Sequence, residues 1–325
     1  ADENLFNLSS KMMPSLLRSS DRLRFLPVEA GPVNTKSAPI DFYKLFGPLL
    51  EEKALRGIRN VELLSLSAGY RFHADLYRFI EAKLAKVLRN SWRNRMTIIQ
   101  MGRLWIRNCI DNLFLTGDRN KIEDLSEGKA ILVAAAGESL ESSLDLISRY
   151  REEFYIIAVD TAVPVLSARG IRPDLIICLE AQVLNLYDFI PVSDIDTKVA
   201  ADIVSYPPIP RRFSEEKRYF FSSQFASNSL LKRLSEKNLL PQTIPPLGSV
   251  GVTAFYIAGM ITNKPIFLSG LDFAYKLGKP HARGAPTHLA YLCSHQRLSP
   301  PSLYASCLIR PRQKKLDTYA EYFTS

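Results

Sequence analysis

The chain has 325 residues, 46% hydrophobic and 23% charged, with a formal net charge of +9. That profile belongs to a folded globular protein long enough for two domains and excludes a disordered or low-complexity chain. No stretch approaches the ~20 apolar residues a bilayer span needs, and the opening ADENLFNLSS lacks the basic-then-apolar pattern of a secretory signal.

Residues 1–40 are mixed, and GPVNTKSAP reads as a turn-rich loop. From Asp41 to about Leu115 the pattern is helical. Leu76, Phe79, Ile80, Lys83, Leu84 and Val87 form one stripe of an amphipathic helix. A second helical run, MTIIQMGRLWIRNCIDNLFL, leads toward Gly117 and carries enough apolar positions to pack on a neighbouring domain. Asp118 to Gly128 is polar and charged, a candidate boundary. The texture then changes to short apolar runs alternating with helical segments: AILVAAAG, FYIIAV, DLIICL, VAADIV, RYFFSS and PIFLSG. Continuous apolar runs of this length are buried parallel strands, and their alternation with helices predicts an α/β fold with right-handed crossovers. SVGVTAFYIAGMIT reads as the helix before the last strand, and QKKLDTYAEYFTS as a C-terminal helix. The expected organisation is a mainly helical region over 1–125, a Rossmann-like nucleotide-binding domain over 126–290, and a tail with a helix over 291–325.

The charge is unevenly distributed along this plan. Residues 126–204 hold 6 basic and 13 acidic side chains, whereas residues 205–325 hold 16 and 6. A basic third, including Arg211, Arg212, Arg310, Arg312, Lys314 and Lys315, can attract a polyanion or present a solvated face. No zinc-finger, RRM or KH pattern accompanies it, so no nucleic-acid partner is expected. Cys109, Cys178, Cys293 and Cys307 show no CxxC spacing and read as thiols of a reducing cytoplasm, the expected location.

In open α/β sheets, ligands sit beyond the carboxyl ends of the strands, and this rule selects the candidate residues. The first strand runs into Gly137-Glu138-Ser139, where close backbone approach and the following helix's N–H groups can hold a phosphate. An ordinary glycine turn with a serine cap fits equally. Asp160, followed by Thr161, ends the second strand; its carboxylate can accept ribose hydroxyls or cap the next helix. Glu180, after the third strand, carries the same ambiguity. Gly248-Ser249 precedes a helix and can bring backbone against a ligand, or simply supply a loop that needs positive φ. Asp272 follows the last strand, and His281 lies in the next loop, where an imidazole can serve acid–base chemistry. His281, His288 and His295 are spaced by seven, but Gly284 and Pro286 break the helix a zinc site would need, so no metal is expected. GxxxxGK[ST], HExxH and GxSxG are absent, excluding a P-loop enzyme, a zincin and an α/β-hydrolase.

Four segments in this order, AAGESL, VDTAVPVLSARGIRPDLIICLE, GSVGVTAFYIA and LSGLDFAYKLGKPHARG, resemble the central domain of the motility accessory factors. That domain is related to the 6-hydroxymethylpterin diphosphokinase-like domain. The resemblance covers about Lys129 to Gly284, and GRLWIRNCIDNL resembles the family's link into the domain. The family's first turn is usually Gly-x-Gly-Pro-Ser-Leu; here Ala135 and Glu138 replace the first glycine and the proline. Glu180 stands where an aspartate is common, and Leu271-Asp272-Phe273-Ala274 stands where Gln-Asp-Leu-Ala is frequent.

The resemblance implies a sialyltransferase-like Rossmann fold and transfer of a nonulosonic acid, of the pseudaminic or legionaminic class, from a CMP-activated donor to Ser or Thr of flagellin in the bacterial flagellum. Carried over residue by residue, it gives the nucleotide to Gly137, Glu138, Ser139, Asp160, Thr161, Gly248 and Ser249, and catalysis to Asp272 and His281. CMP-sugar would be a substrate, with no resident cofactor. Two other readings stand beside it. A diphosphokinase-like enzyme would use ATP and Mg²⁺, with Asp160 and Asp272 as ligands. A non-catalytic flagellin-binding assembly factor would carry Glu138 as the mark of a degenerate site.

Overall fold

In the computed structural model the described residues are 42, 46–47, 71, 74–116, 121–125, 128–190, 197–223, 229–276, 281–286, 314–316 and 322–324. His288, His295, Cys293, Cys307, Arg310, Arg312 and the GPVNTKSAP turn lie outside them. The chain forms two compact units, Ala1–Gln100 and Met101–Ser325.

The two helical runs of the N-terminal region are one helix, α1, Ala74–Leu113. No proline interrupts it, and Asp75 in its first turn complements the helix dipole. In the first unit the predicted stripe is the buried face: Leu76 and Ile80 pack with Phe42, and Phe46, Phe79, Leu84 and Val87 pack around them. Phe42 and Phe46 stack with ring centroids 4.8 Å apart. Among the described residues no helix is long and apolar enough to cross a membrane.

The second unit is built on six parallel strands: β1 Ala130–Ala134, β2 Phe154–Val159, β3 Leu175–Cys178, β4 Lys198–Asp202, β5 Arg218–Phe221 and β6 Ile266–Ser269. Their order is β5-β4-β3-β2-β1-β6. Helices α2 (Ser139–Arg149), α3 (Val163–Ser167), α4 (Ser229–Glu236) and α5 (Val250–Ile261) join them. The chain steps from β1 toward β5 and then returns to lay β6 on the other side of β1. Right-handed crossovers in the two directions place α2 and α5 on opposite faces. This is the Rossmann-like parallel sheet the sequence predicts, with its switch point between β1 and β6.

The centre of the sheet is the core. Ile131, Val133, Ile156, Ile157 and all four residues of β3 are fully buried. Each large aliphatic side chain so buried contributes roughly 1.5–3 kcal/mol. At the edge, β6 leaves Phe267 and Leu268 about half exposed.

The amino ends of the strands are locked by one carboxylate. Asp174 Oδ1 receives Arg151 Nη2 at 2.8 Å, and its Oδ2 receives the Ile156 N–H at 2.7 Å. Arg151 Nε donates to the Arg172 carbonyl at 2.8 Å. The Asp174 carbonyl accepts the Lys198 N–H at 3.0 Å, and Thr197 Oγ1 donates to the Pro173 carbonyl at 2.9 Å. The Pro173-Asp174 pair of the second family-like segment therefore sets the registers of β2, β3 and β4, at the end of the sheet away from the predicted site.

The C-terminal segment departs from expectation. Lys314–Leu316 (β8) and Tyr322–Thr324 (β9) are strands, not a helix, and β9 pairs antiparallel with β7, Ala274–Lys276. The weak helical pattern of the tail yields to backbone pairing, with aromatic and β-branched residues suited to a strand.

Candidate functional site

Because the strands are parallel, their carboxyl ends share one rim. Gly137, Asp160 and the turn entering Asp272 follow β1, β2 and β6 and so stand on it. β1 pairs with β2 through Ala134↔Ala158 and with β6 through Ala134↔Ser269, which puts the three turns side by side.

The first turn is bound to the last. The Ala135 and Gly137 N–H groups donate to the carbonyls of Ser269 and Gly270, each at 2.8 Å. Asp272 reaches across: Oδ2 accepts the Ser139 N–H at 2.9 Å, and Oδ1 accepts the Ser139 hydroxyl in a very short bond. Ser139 Oγ in turn accepts the Gly270 N–H at 3.0 Å. A Cβ on Gly137 would stand 2.5 Å from both Asp272 Oδ2 and the Gly270 carbonyl oxygen, so only glycine fits. The close approach that the sequence associates with a phosphate is here an approach to the protein's own carboxylate. Asp272 occupies the anion-binding position at the N-terminus of α2. Glu138 takes the N-cap position with helical backbone and makes no side-chain cap bond.

Helix α5 begins beside the same turns. A Cβ on Gly251 would run into Leu271 and lie 3.7 Å from Ala135 Cβ. Gly248 has φ +75°, and Ser249 is the extended N-cap without a side-chain cap bond. The positive φ at Gly248 is the one that an ordinary loop reading of this segment requires.

The loop carrying His281 is fastened over the rim. The Ala282 N–H donates to the Ala136 carbonyl at 2.9 Å, and the Arg283 N–H donates to Glu141 Oε1 in a very short bond. Gly284 abuts Val165 of α3, the helix that follows Asp160. Burial lowers the pKa of His281, favouring the neutral imidazole a general base requires.

Asp160 is buried, and its Oδ1 accepts both the N–H and the hydroxyl of Thr161, at 2.8 and 3.1 Å. Burial pushes its carboxyl up to about 6; the bonds from Thr161 and Asn185 oppose this, and Glu180 adds repulsion. Around it lie carboxylates that the motif reading did not select. Burial and repulsion from Asp160 and Glu180 push Asp188 up to about 7. Asp202, at the end of β4, is raised to about 6 by burial, against bonds from Ser223 and Val204. Asn185 Nδ2 donates to Cys178 Sγ at 3.2 Å, and Cys109 and Cys178 are buried free thiols as expected. Asp202 could have been found, since it ends VAAD as Asp160 ends FYIIAVD. Asp188 lies inside the 3-10 segment Val183–Phe189 and gives no comparable signal. Among the described residues no group of three or more His, Cys, Asp or Glu side chains is arranged to hold a metal ion.

The fold is a Rossmann-like α/β domain with its switch point between β1 and β6, the place where open α/β sheets generally take ligands. Residues 107–278 match the family described as 6-hydroxymethylpterin diphosphokinase MptE-like, and the chain belongs to that family. Two relatives are proteins of Treponema pallidum (strain Nichols) described as uncharacterized. One is 29% identical over 253 residues, 75% of this chain and 43% of its own length. The other is 32% identical over 97 residues, 29% of this chain and 46% of its own length. The chain thus spans less than half the length of the curated relatives it matches. Among solved structures it is similar to a MAf glycosyltransferase from Magnetospirillum magneticum AMB-1, with 15% identity and a TM-score of 0.44 over 58% of this chain and 31% of that one.

Proposed function

We propose that the chain is a glycosyltransferase of the motility accessory factor type, moving a nonulosonic acid from a CMP-activated donor to a serine or threonine of flagellin. The observation that carries this reading is that Gly137–Ser139, Asp160–Thr161 and the turn to Asp272 follow neighbouring parallel strands on one rim, with Gly251 of α5 and Ala282 of the His281 loop against the first turn. The acceptor hydroxyl would attack the anomeric carbon, the bond to the CMP phosphate would break, and the hydroxyl proton would pass to a base.

His281, whose pKa burial lowers, is the base of this scheme. Ser139 has committed its N–H and hydroxyl to Asp272, so the leaving phosphate is assigned to the uncapped start of α5, at Gly248 and Ser249. Asp160 and Thr161 would receive the cytidine ribose, Gly137 and Glu138 would form the wall beside it, and Asp272 would hold the donor-facing turn. Calorimetry with CMP tests the assignment: alanine at Asp160 or Ser249 should abolish binding while circular dichroism stays that of the parent. Unchanged affinity would remove it.

A second reading, an ATP-dependent diphosphokinase-like enzyme, is favoured by the family's description. Mg²⁺ would enter with the nucleotide and clamp the transferred phosphates. Thermal shifts with CMP, UDP, GDP and ATP, with and without Mg²⁺, separate the two. Metal-independent stabilisation by CMP selects glycosyl transfer, and Mg²⁺-dependent stabilisation by ATP selects the kinase.

A further inference from the structure

Two asparagines outside every family-like rim segment bind the loops that carry the rim carboxylates. Asn108 and Asn112 lie one turn apart on α1, and both side chains are fully buried. Asn108 Nδ2 donates to the Ala181 carbonyl at 3.0 Å and the Val204 carbonyl at 3.1 Å. Asn112 Nδ2 donates to the carbonyls of Ile203 at 3.0 Å and Ser205 at 2.9 Å. The four bonds use all four amide hydrogens, and neither Oδ1 has a partner among the described residues. A buried amide that leaves its oxygen unpaired is oriented by what its hydrogens hold.

The carbonyls they hold flank the rim acids. Ala181 follows Glu180, whose Oε1 accepts the N–H groups of Ala181 and Gln182 at 2.9 and 3.1 Å. Residues 203–205 follow Asp202, whose carboxylate accepts the Val204 and Ser223 N–H groups at 3.1 and 3.2 Å. The Tyr206 N–H donates to the Glu180 carbonyl at 3.0 Å and ties the two loops together. Burial raises the Cys178 thiol, and repulsion from Asp160, Asp188, Asp202 and Glu180 adds to the effect.

We infer that Asn108 and Asn112 are positioning residues of the ligand rim. Their amides fix the loops after β3 and β4, and so set where Glu180 and Asp202 stand relative to Asp160. The functional part of this inference rests on the nucleotide-site reading above.

The test uses Asn108→Asp and Asn112→Asp, which keep shape but replace each pair of donors with an acceptor. Asn108→Ser and Asn112→Ser, which retain one donor, serve where the aspartates do not fold. Asp174→Asn, at the opposite end of the sheet, is the control for lost stability alone. Amide hydrogen exchange should show faster exchange over 180–190 and 202–206 in the asparagine variants and not in the control. CMP affinity should fall about tenfold or more in the asparagine variants and stay within about twofold in Asp174→Asn. Unchanged exchange in both loops overturns the inference, as does faster exchange with unaltered CMP affinity. If the parent protein itself binds no CMP, the proposed function fails, and the exchange data judge the anchoring of the loops separately.

Discussion

The tightest local constraint on the rim is the position of Gly137, and Gly137→Ala measures it. The added methyl would sit 2.5 Å from a backbone carbonyl oxygen and 2.5 Å from a carboxylate oxygen, about 1 Å inside ordinary contact with each. The Gly270 carbonyl is held by the Gly137 N–H, and Asp272 by two bonds from Ser139, so neither can withdraw freely. Overpacking of this kind costs about 1–3 kcal/mol. Losing the charged hydrogen bonding of Asp272 adds about 1.5–3 kcal/mol. The expected loss is therefore about 2.5–6 kcal/mol, which for a domain of this size lowers Tm by roughly 5–24 °C. Thermal and urea unfolding of Gly137→Ala, Asp272→Ala and the double variant form a cycle. Because the alanine at 137 displaces the group that Asp272→Ala deletes, the two losses should fall short of additive by about 1 kcal/mol or more. Strict additivity, or a Gly137→Ala protein within about 0.5 kcal/mol of the parent, would refute the packing account.

Other consequences can be checked directly. The raised carboxyls of Asp160, Asp188 and Asp202 are favoured in their protonated forms by the fold. Unfolded aspartates titrate near ~3.9. Their contribution is thus fully present below that pH and is lost as pH rises through about 6 to 7. Melting temperature should therefore fall over that interval, and Asp188→Asn should raise it at pH 8; a Tm indifferent to that substitution at pH 8 would count against the burial of Asp188. Asp174→Ala should cost about 2 kcal/mol in urea unfolding, since it breaks a half-buried ion pair and a backbone bond, and should leave CMP affinity untouched. Ile177→Ala, in the fully buried central strand, should cost about 2–5 kcal/mol, and a loss under about 1 kcal/mol would contradict its burial.

What could be read from the sequence followed the strength of each local signal. Runs such as FYIIAV and LIIC have no other economical explanation than buried parallel strands, and the rim position of Asp160 follows once they are placed. The join between the two N-terminal helical runs was invisible because LRNSWRNR is polar without containing a helix breaker. Strands β8 and β9 were missed because a three-residue strand is stabilised by its partner rather than by its own pattern. At the site, the sequence located Gly137, Ser139 and Asp272 but not their mutual engagement, which depends on a contact across 133 residues. Asparagines 108 and 112 look like ordinary polar positions of a helix, and only the carbonyls they meet distinguish them.

The Asp174–Arg151 lock has a consequence for how this architecture tolerates change. Strand register is secured at one end of the sheet, while molecules would be recognised by the turns at the other. Substitutions among those turns, such as at Glu138, leave the lock itself intact, because no bond of the lock runs through them. Strand register and rim packing are therefore held by separate sets of bonds in this sheet.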